Sequence, residues 1–185
     1  MDFAHDTQVA LASAVALANE GQPDGLELST VAQLQDWLDA EGYTGHRSRT
    51  RAELDEVLAF KTTLRAIWAA PSEEERVELV NAVLRDGPLV PQLVRHEGWE
   101  DWHLHPTSSD TPLPRRLAVE VALALVDLFR ADGFDRLGWC GDPDCQMVFV
   151  DFTRNRSKKY CDTGLCANRA HQAAYRERHR DKTSN

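Results

Sequence analysis

The first 139 residues of this 185-residue chain contain no cysteine; all four, Cys140, Cys145, Cys161 and Cys166, fall in the last quarter. That distribution argues against a disulfide framework, which staples a small secreted fold along its whole length. Basic residues are scarce at the start as well. The first twenty residues carry no Lys or Arg, so a secretory signal there would lack its basic segment. Long apolar runs are also missing. The stretch 9–18 is far short of the roughly 20 residues that span a bilayer, and the stretch 117–129 is interrupted by Glu120 and Asp127. The expected chain is cytoplasmic, with no membrane partner. It has no internal repeat and no low-complexity segment. Without a glycine-rich phosphate loop or a nucleophile motif, it is not expected to be an enzyme.

What is present is ordinary for a globular protein: 42% hydrophobic and 28% charged residues. The net charge of −9 is unevenly spread. Residues 1–135 carry 11 basic against 24 acidic side chains, a net of −13; residues 136–185 carry 10 against 6, a net of +4. An acidic body joined to a basic tail implies two parts with different partners.

The body reads as mainly α. Residues 7–19 are alanine-rich and apolar on most sides, as in a helix buried on more than one face. Ser29 or Thr30 can cap a second helix carrying Val31, Leu34 and Leu38 up to Gly42. Residues 51–70 repeat the pattern until Pro71. Ser72 and Glu75 form a capping-box pair that opens a fourth helix, stopped by Gly87-Pro88. Residues 99–105 alternate as a short strand would, and 117–132 form a strongly amphipathic helix. Residues 1–135 are thus expected to form a helical domain with its own core and a few short strands. Residues 136–185 form a separate small unit.

In that unit the cysteines follow the spacing Cys140-x4-Cys145-x15-Cys161-x4-Cys166. Two close pairs, brought together by an intervening hairpin, suit a tetrahedral ion with no open position, and Zn2+ is the natural structural ion for four thiolates. An iron–sulfur cluster also takes four thiolates, but the hairpin reading suits zinc better. Residues 147–150 are expected as one strand, 154–156 as a turn, and 157–160 as the returning strand into Cys161. A helix follows, giving the order of a treble-clef-like finger. So small a unit would draw folding energy from its metal, on the order of 10 kcal/mol.

At about 100° per residue, Arg169, Gln172, Arg176 and Arg180 share one face of the last helix. Ala167, Ala170 and Ala174 fall opposite. Arg154, Arg156, Lys158 and Lys159 add charge at the hairpin tip. A rigid helix with a basic face and a basic tip suits a phosphate backbone, and aligned arginines can reach guanine edges. A charged face is often only a solvated one, and a zinc ion with four thiolates would itself lower the tail's charge by 2, to about +2.

The segments Cys140-Gly-Asp-Pro-Asp-Cys145, Phe149-Val-Asp151, Thr153-Arg-Asn-Arg-Ser157, Lys158-Lys-Tyr-Cys161 and Cys166-Ala-Asn-Arg169 together resemble the CGNR zinc-finger family. The resemblance covers about residues 137–180. It implies a bacterial transcription regulator with an N-terminal ABATE domain that senses stress or a ligand. It also implies that the four cysteines are zinc ligands and that Asn168 and Arg169 are the Asn-Arg of the signature. Ala167 stands where the signature has glycine; in a first helical turn alanine is no worse, whereas a left-handed backbone would strain it.

The leading expectation is a zinc-dependent regulator binding duplex DNA through the finger, with the body taking a small-molecule or protein signal or forming a homodimer. The alternative is a zinc-stabilised module for RNA or protein. Phe152, Tyr160 and Tyr175 are the aromatic residues available to such a module, and each is expected to pack into the core. A third class, an enzyme, rests on His96, Glu97, His103 and His105. His103-x-His105 on a strand would place two rings on one face as a metal pair. With no third ligand legible, these read as surface histidines beside a turn. A nuclease on the same finger would need a histidine between Cys140 and Cys166, and there is none.

Overall fold

The structure is a computed structural model describing residues 3–96 and 99–183. It is mainly α, as the periodicity predicts. Helices α1 (His5–Ala18), α2 (Val31–Ala40), α3 (Arg51–Ala69), α4 (Glu73–Asp86) and α5 (Leu113–Arg130) form the body. Strands β1 (Gln92–His96) and β2 (Trp99–His105) make an antiparallel hairpin between α4 and α5. A turn of 3-10 helix then leads to β3 (Leu137–Trp139), which pairs antiparallel with β4 (Val148–Val150), and α6 (Leu165–Thr183) is the last element among the described residues.

Local chemistry accounts for most boundaries. Thr30 caps α2 in a full box: its hydroxyl accepts from the Gln33 N–H, and Gln33 Oε1 accepts from the Thr30 N–H at 2.9 Å. Ser72 accepts from the Glu75 N–H at 3.2 Å, which makes half of the expected box. Helix α5 begins at Leu113, four residues before the first strong apolar repeat, because Pro114 is tolerated in a first turn where no N–H is needed. Helix α1 buries Ala10, Leu11, Ala14, Leu17 and Ala18 and lies against α3, α5 and β4. Its alanines permit that closeness on several sides.

The second hairpin is not the one expected. Residues 157–160 form no strand, and β4 pairs instead with β3, across the first cysteine pair. Side chains close the expected returning segment as a loop. Asp151 accepts from the N–H groups of Thr153 and Lys158, each at 2.7 Å, and Thr153 Oγ1 accepts from the Ser157 N–H. Those bonds replace a ladder, in the way short polar side chains compete with regular structure. Gly138 faces Phe149 across the hairpin, and a Cβ there would stand 2.4 Å from the Phe149 ring.

The hairpin does not stand apart from the body. Leu137, Val148 and Val150 belong to the same buried cluster as the helices. The Trp68 indole donates to the Phe149 carbonyl at 3.1 Å, and Arg65 lies over the Trp139 ring at 4.9 Å. Cys140, Met147, Cys161 and Cys166 make a second, small buried cluster. Among the described residues no helix is long and apolar enough to cross a membrane.

Candidate metal centre

The turn joining β3 to β4 carries Cys140 and Cys145. The Cys140 N–H donates to the Met147 carbonyl at 2.8 Å, and the Cys145 N–H to Asp142 at 3.0 Å. The second pair arrives from the other side. The Gly141 N–H donates to the Lys159 carbonyl at 2.7 Å, which seats Cys161 beside the knuckle. Gly164, at φ +73°, turns the chain into α6, whose first turn bears Cys166. Ala167 therefore sits in ordinary helical backbone, with none of the strain a left-handed conformation would impose.

The four sulfurs converge. Cys145 and Cys161 Sγ are 3.9 Å apart, Cys161 and Cys166 Sγ 3.7 Å, and all four lie within 4.8 Å of one another. A tetrahedral ion with bonds of about 2.3 Å sets its sulfurs roughly 3.8 Å apart. A multi-iron cluster holds its thiolates on different irons and spreads them further. Burial and hydrogen bonds with the neighbouring cysteines push the Cys166 thiol well up. Burial works the same way on Cys161, but bonds from the Thr163 hydroxyl and N–H outweigh it and hold that thiol below its usual range. Four thiolates cannot coexist here without a cation; the donor set fits one structural zinc ion, which would tie knuckle, loop and helix together.

Arg169 belongs to this centre. Its Nε donates to Asp142 Oδ2 at 2.8 Å and its Nη2 to Cys166 Sγ at 3.1 Å. Asp142 also accepts from the Asp144 N–H at 3.1 Å. One guanidinium thus grips the knuckle and a ligand sulfur together, the kind of outer contact that orients metal ligands. The sequence offered the Arg169 signature position but not its partner, since Asp142 lies 27 residues upstream.

The other basic residues divide into two groups. Arg156 Nη1 binds both oxygens of Asp135, at 2.7 and 2.8 Å, and Lys158 pairs with Asp162 at 2.5 Å. Arg154, Lys159 and Arg176 are exposed and have no acidic partner among the described residues. Asn168, Gln172 and Arg176 are exposed at i, i+4 and i+8 along α6. The Arg180 side chain, next in that row, lies outside the described residues. Phe152 (46% exposed) and Tyr175 (58%) do not pack into the core, contrary to expectation; the Tyr175 ring lies tilted against His179, centroids 4.2 Å apart. Tyr160 does pack, against the cysteine cluster.

The histidines also differ from expectation. His103 and His105 share a face of β2 as the alternation predicts, but His103 is buried and a third ring joins them. That ring is His96, delivered by β1, a strand not read in the sequence. His103 Nε2 lies 3.2 Å from His96 Nε2 and 3.1 Å from His105 Nε2. Burial, with His103, His96 and Arg116 nearby, pushes the His105 ring down to about 4, so it is neutral at neutral pH. Glu97 lies outside the described residues. The trio lines a cavity of about 230 Å³ between the first hairpin, α1 and α5, together with Asp6, Glu120 and Asp127.

The family comparisons divide the chain where its composition changes. The CGNR zinc finger family matches residues 136–179. The ABATE family, described as putative stress-induced transcription regulator, matches residues 7–132. None of the curated proteins compared with the chain matches it. Since the ABATE match spans well over half of the residues and the four cysteines of the finger fit one zinc ion, the chain belongs to the ABATE family of regulator-like proteins and ends in a CGNR zinc finger.

Proposed function

We propose that this protein is a cytoplasmic, zinc-dependent transcription regulator that binds duplex DNA through α6 and the loop before it. The observation that carries the reading is the stance of α6. Cys166 anchors its first turn to the metal centre, while every described side chain from His171 onward is exposed. A helix fixed at one end and exposed at its described side chains is suited to lie in a groove. Arg154, Lys159 and Arg176 supply phosphate contacts, and Asn168 and Gln172 can pair with base edges. Together with Arg180 they leave about four cations for the backbone. Arg156, Lys158 and Arg169 are engaged with carboxylates and act as supports.

One finger of this kind reads few base pairs, so the body pairs two copies or engages a partner to reach useful specificity. The cavity of the body is the place for a signal. The finger has the order of a treble clef: knuckle, second cysteine pair, helix.

The test is fluorescence anisotropy of the zinc-loaded chain on random duplex DNA across salt. A log–log slope near −4 is expected for about four neutralised phosphates, at roughly −0.9 each. The triple variant R154A/K159A/R176A should lose most of that slope. No binding at low salt would sink the reading and favour the alternative, a module for RNA or protein. Exposed Phe152, Leu165 and Tyr175 support that alternative, and a preference for single-stranded probes would distinguish its RNA form.

A further inference from the structure

The three histidines of the body form a second converging donor set, remote in sequence from the finger. Their Nε2 atoms stand 3.1 and 3.2 Å apart through His103, and all three lie within 4.8 Å of one another. An ion bound by imidazole at about 2.0–2.1 Å holds neighbouring nitrogens roughly 2.8–3.4 Å apart, from octahedral to tetrahedral angles.

The central ring is oriented by its other nitrogen. His103 Nδ1 lies 3.1 Å from the Asp101 carbonyl, which can only accept, so Nδ1–H donates to it and Nε2 is the nitrogen turned toward the other two rings. A cation among the three nitrogens would take a lone pair from each ring. An Nδ1–H held by a backbone carbonyl is also the usual support of a metal-bound imidazole.

The surrounding structure builds the arrangement. The register of β1 against β2 slips between Val94 and His96, and this irregularity brings His96 onto the His103 ring. Trp99 packs on His103 with ring centroids 4.7 Å apart. Toward the other side lies the cavity, with the carboxylates of Asp6, Glu120 and Asp127 in its wall.

We propose that His96, His103 and His105 bind a divalent transition-metal ion of the zinc or nickel type, leaving at least one coordination position open to the cavity. Three protein ligands with an open position describe an exchanging site, in contrast to the closed four-thiolate centre of the finger. This inference stands whether or not the finger binds DNA.

The test uses the full chain with zinc already in the finger, desalted and titrated anaerobically with Co2+. One further equivalent is expected, with ligand-field bands and no thiolate-to-metal charge transfer. H105Q should weaken that equivalent by about 100-fold or more, at least the upper range seen on removing mere outer-shell supports. The zinc content of the finger should be unchanged. H96Q, at a half-buried ring, repeats the test should H105Q fail to fold, as judged by circular dichroism. The proposal is overturned if no second equivalent binds, if the only new signal is thiolate charge transfer, or if folded H105Q or H96Q binds as tightly as the unaltered chain.

Discussion

Asn19 and Val148, 129 residues apart, exchange two hydrogen bonds: Asn19 Nδ2 donates to the Val148 carbonyl at 2.9 Å, and the Val148 N–H donates to Asn19 Oδ1 at 2.8 Å. Both residues are buried. The residue that ends α1 thus completes the backbone pairing of β4, and the finger's hairpin is held by the body as well as by its metal.

Replacing Asn19 by Leu keeps the volume and strands a buried N–H and a buried carbonyl. At about 1–3 kcal/mol for each unsatisfied group, N19L should lose about 2–6 kcal/mol. Urea denaturation followed by tryptophan fluorescence would show the midpoint fall. Because hairpin and helices share one core, a chelator should also lower the midpoint of the helical signal in the unaltered chain.

Arg169 is predicted to act on zinc before it acts on any nucleic acid. R169A should weaken zinc binding about 10–100-fold in a chelator competition, the usual cost of losing an outer contact to a metal ligand. R169K should not restore it, since a single ammonium cannot reach Asp142 and Cys166 in the fork that Nε and Nη2 provide. Unchanged zinc affinity in R169A would return the residue to the surface.

Gly138 is needed for close approach rather than for an unusual backbone angle. G138A drives a methyl group into the buried Phe149 ring and should cost about 1–3 kcal/mol by overpacking. F149L, by freeing that space, should recover part of the loss in the double variant. Additive losses in the double-mutant cycle would contradict the contact.

Glu120 supplies a pH dependence. Burial raises its carboxyl to about 7, although Arg116 pulls it back. Its unfolded value is near 4.5, so between pH 4.5 and about 7 the folded chain keeps a proton the unfolded chain has lost. Stability therefore falls as pH rises through that window, and the cost is fully present above it. The shift corresponds to about 3 kcal/mol; access from the cavity reduces this to about 1–2 kcal/mol. E120Q should gain that much over the unaltered chain at pH 8 and little at pH 4.5, in paired urea titrations.

The helices were legible because each carries its own periodicity and punctuation, as Thr30 with Gln33 and Pro71 with Ser72 illustrate. The zinc ligands were legible because the spacing of four cysteines is itself the coordination constraint. The returning strand at residues 157–160 was not, since Asp151 reaches forward to Lys158 and closes a loop that apolar patterning cannot register. The carboxylate partners of the basic residues were not legible, because charge counts do not show that Asp135, Asp142 and Asp162 stand beside Arg156, Arg169 and Lys158.

The sequence by itself therefore determined the helical body, the metal and its four ligands, since these follow from local periodicity and from fixed donor chemistry. Only the tertiary structure decided the partner of β4, which cations stand beside carboxylates, and the meeting of His96 with His103 and His105. Those depend on which distant side chains share a few ångströms, and a short polar side chain or a slipped strand register settles that without leaving a repeating pattern along the chain.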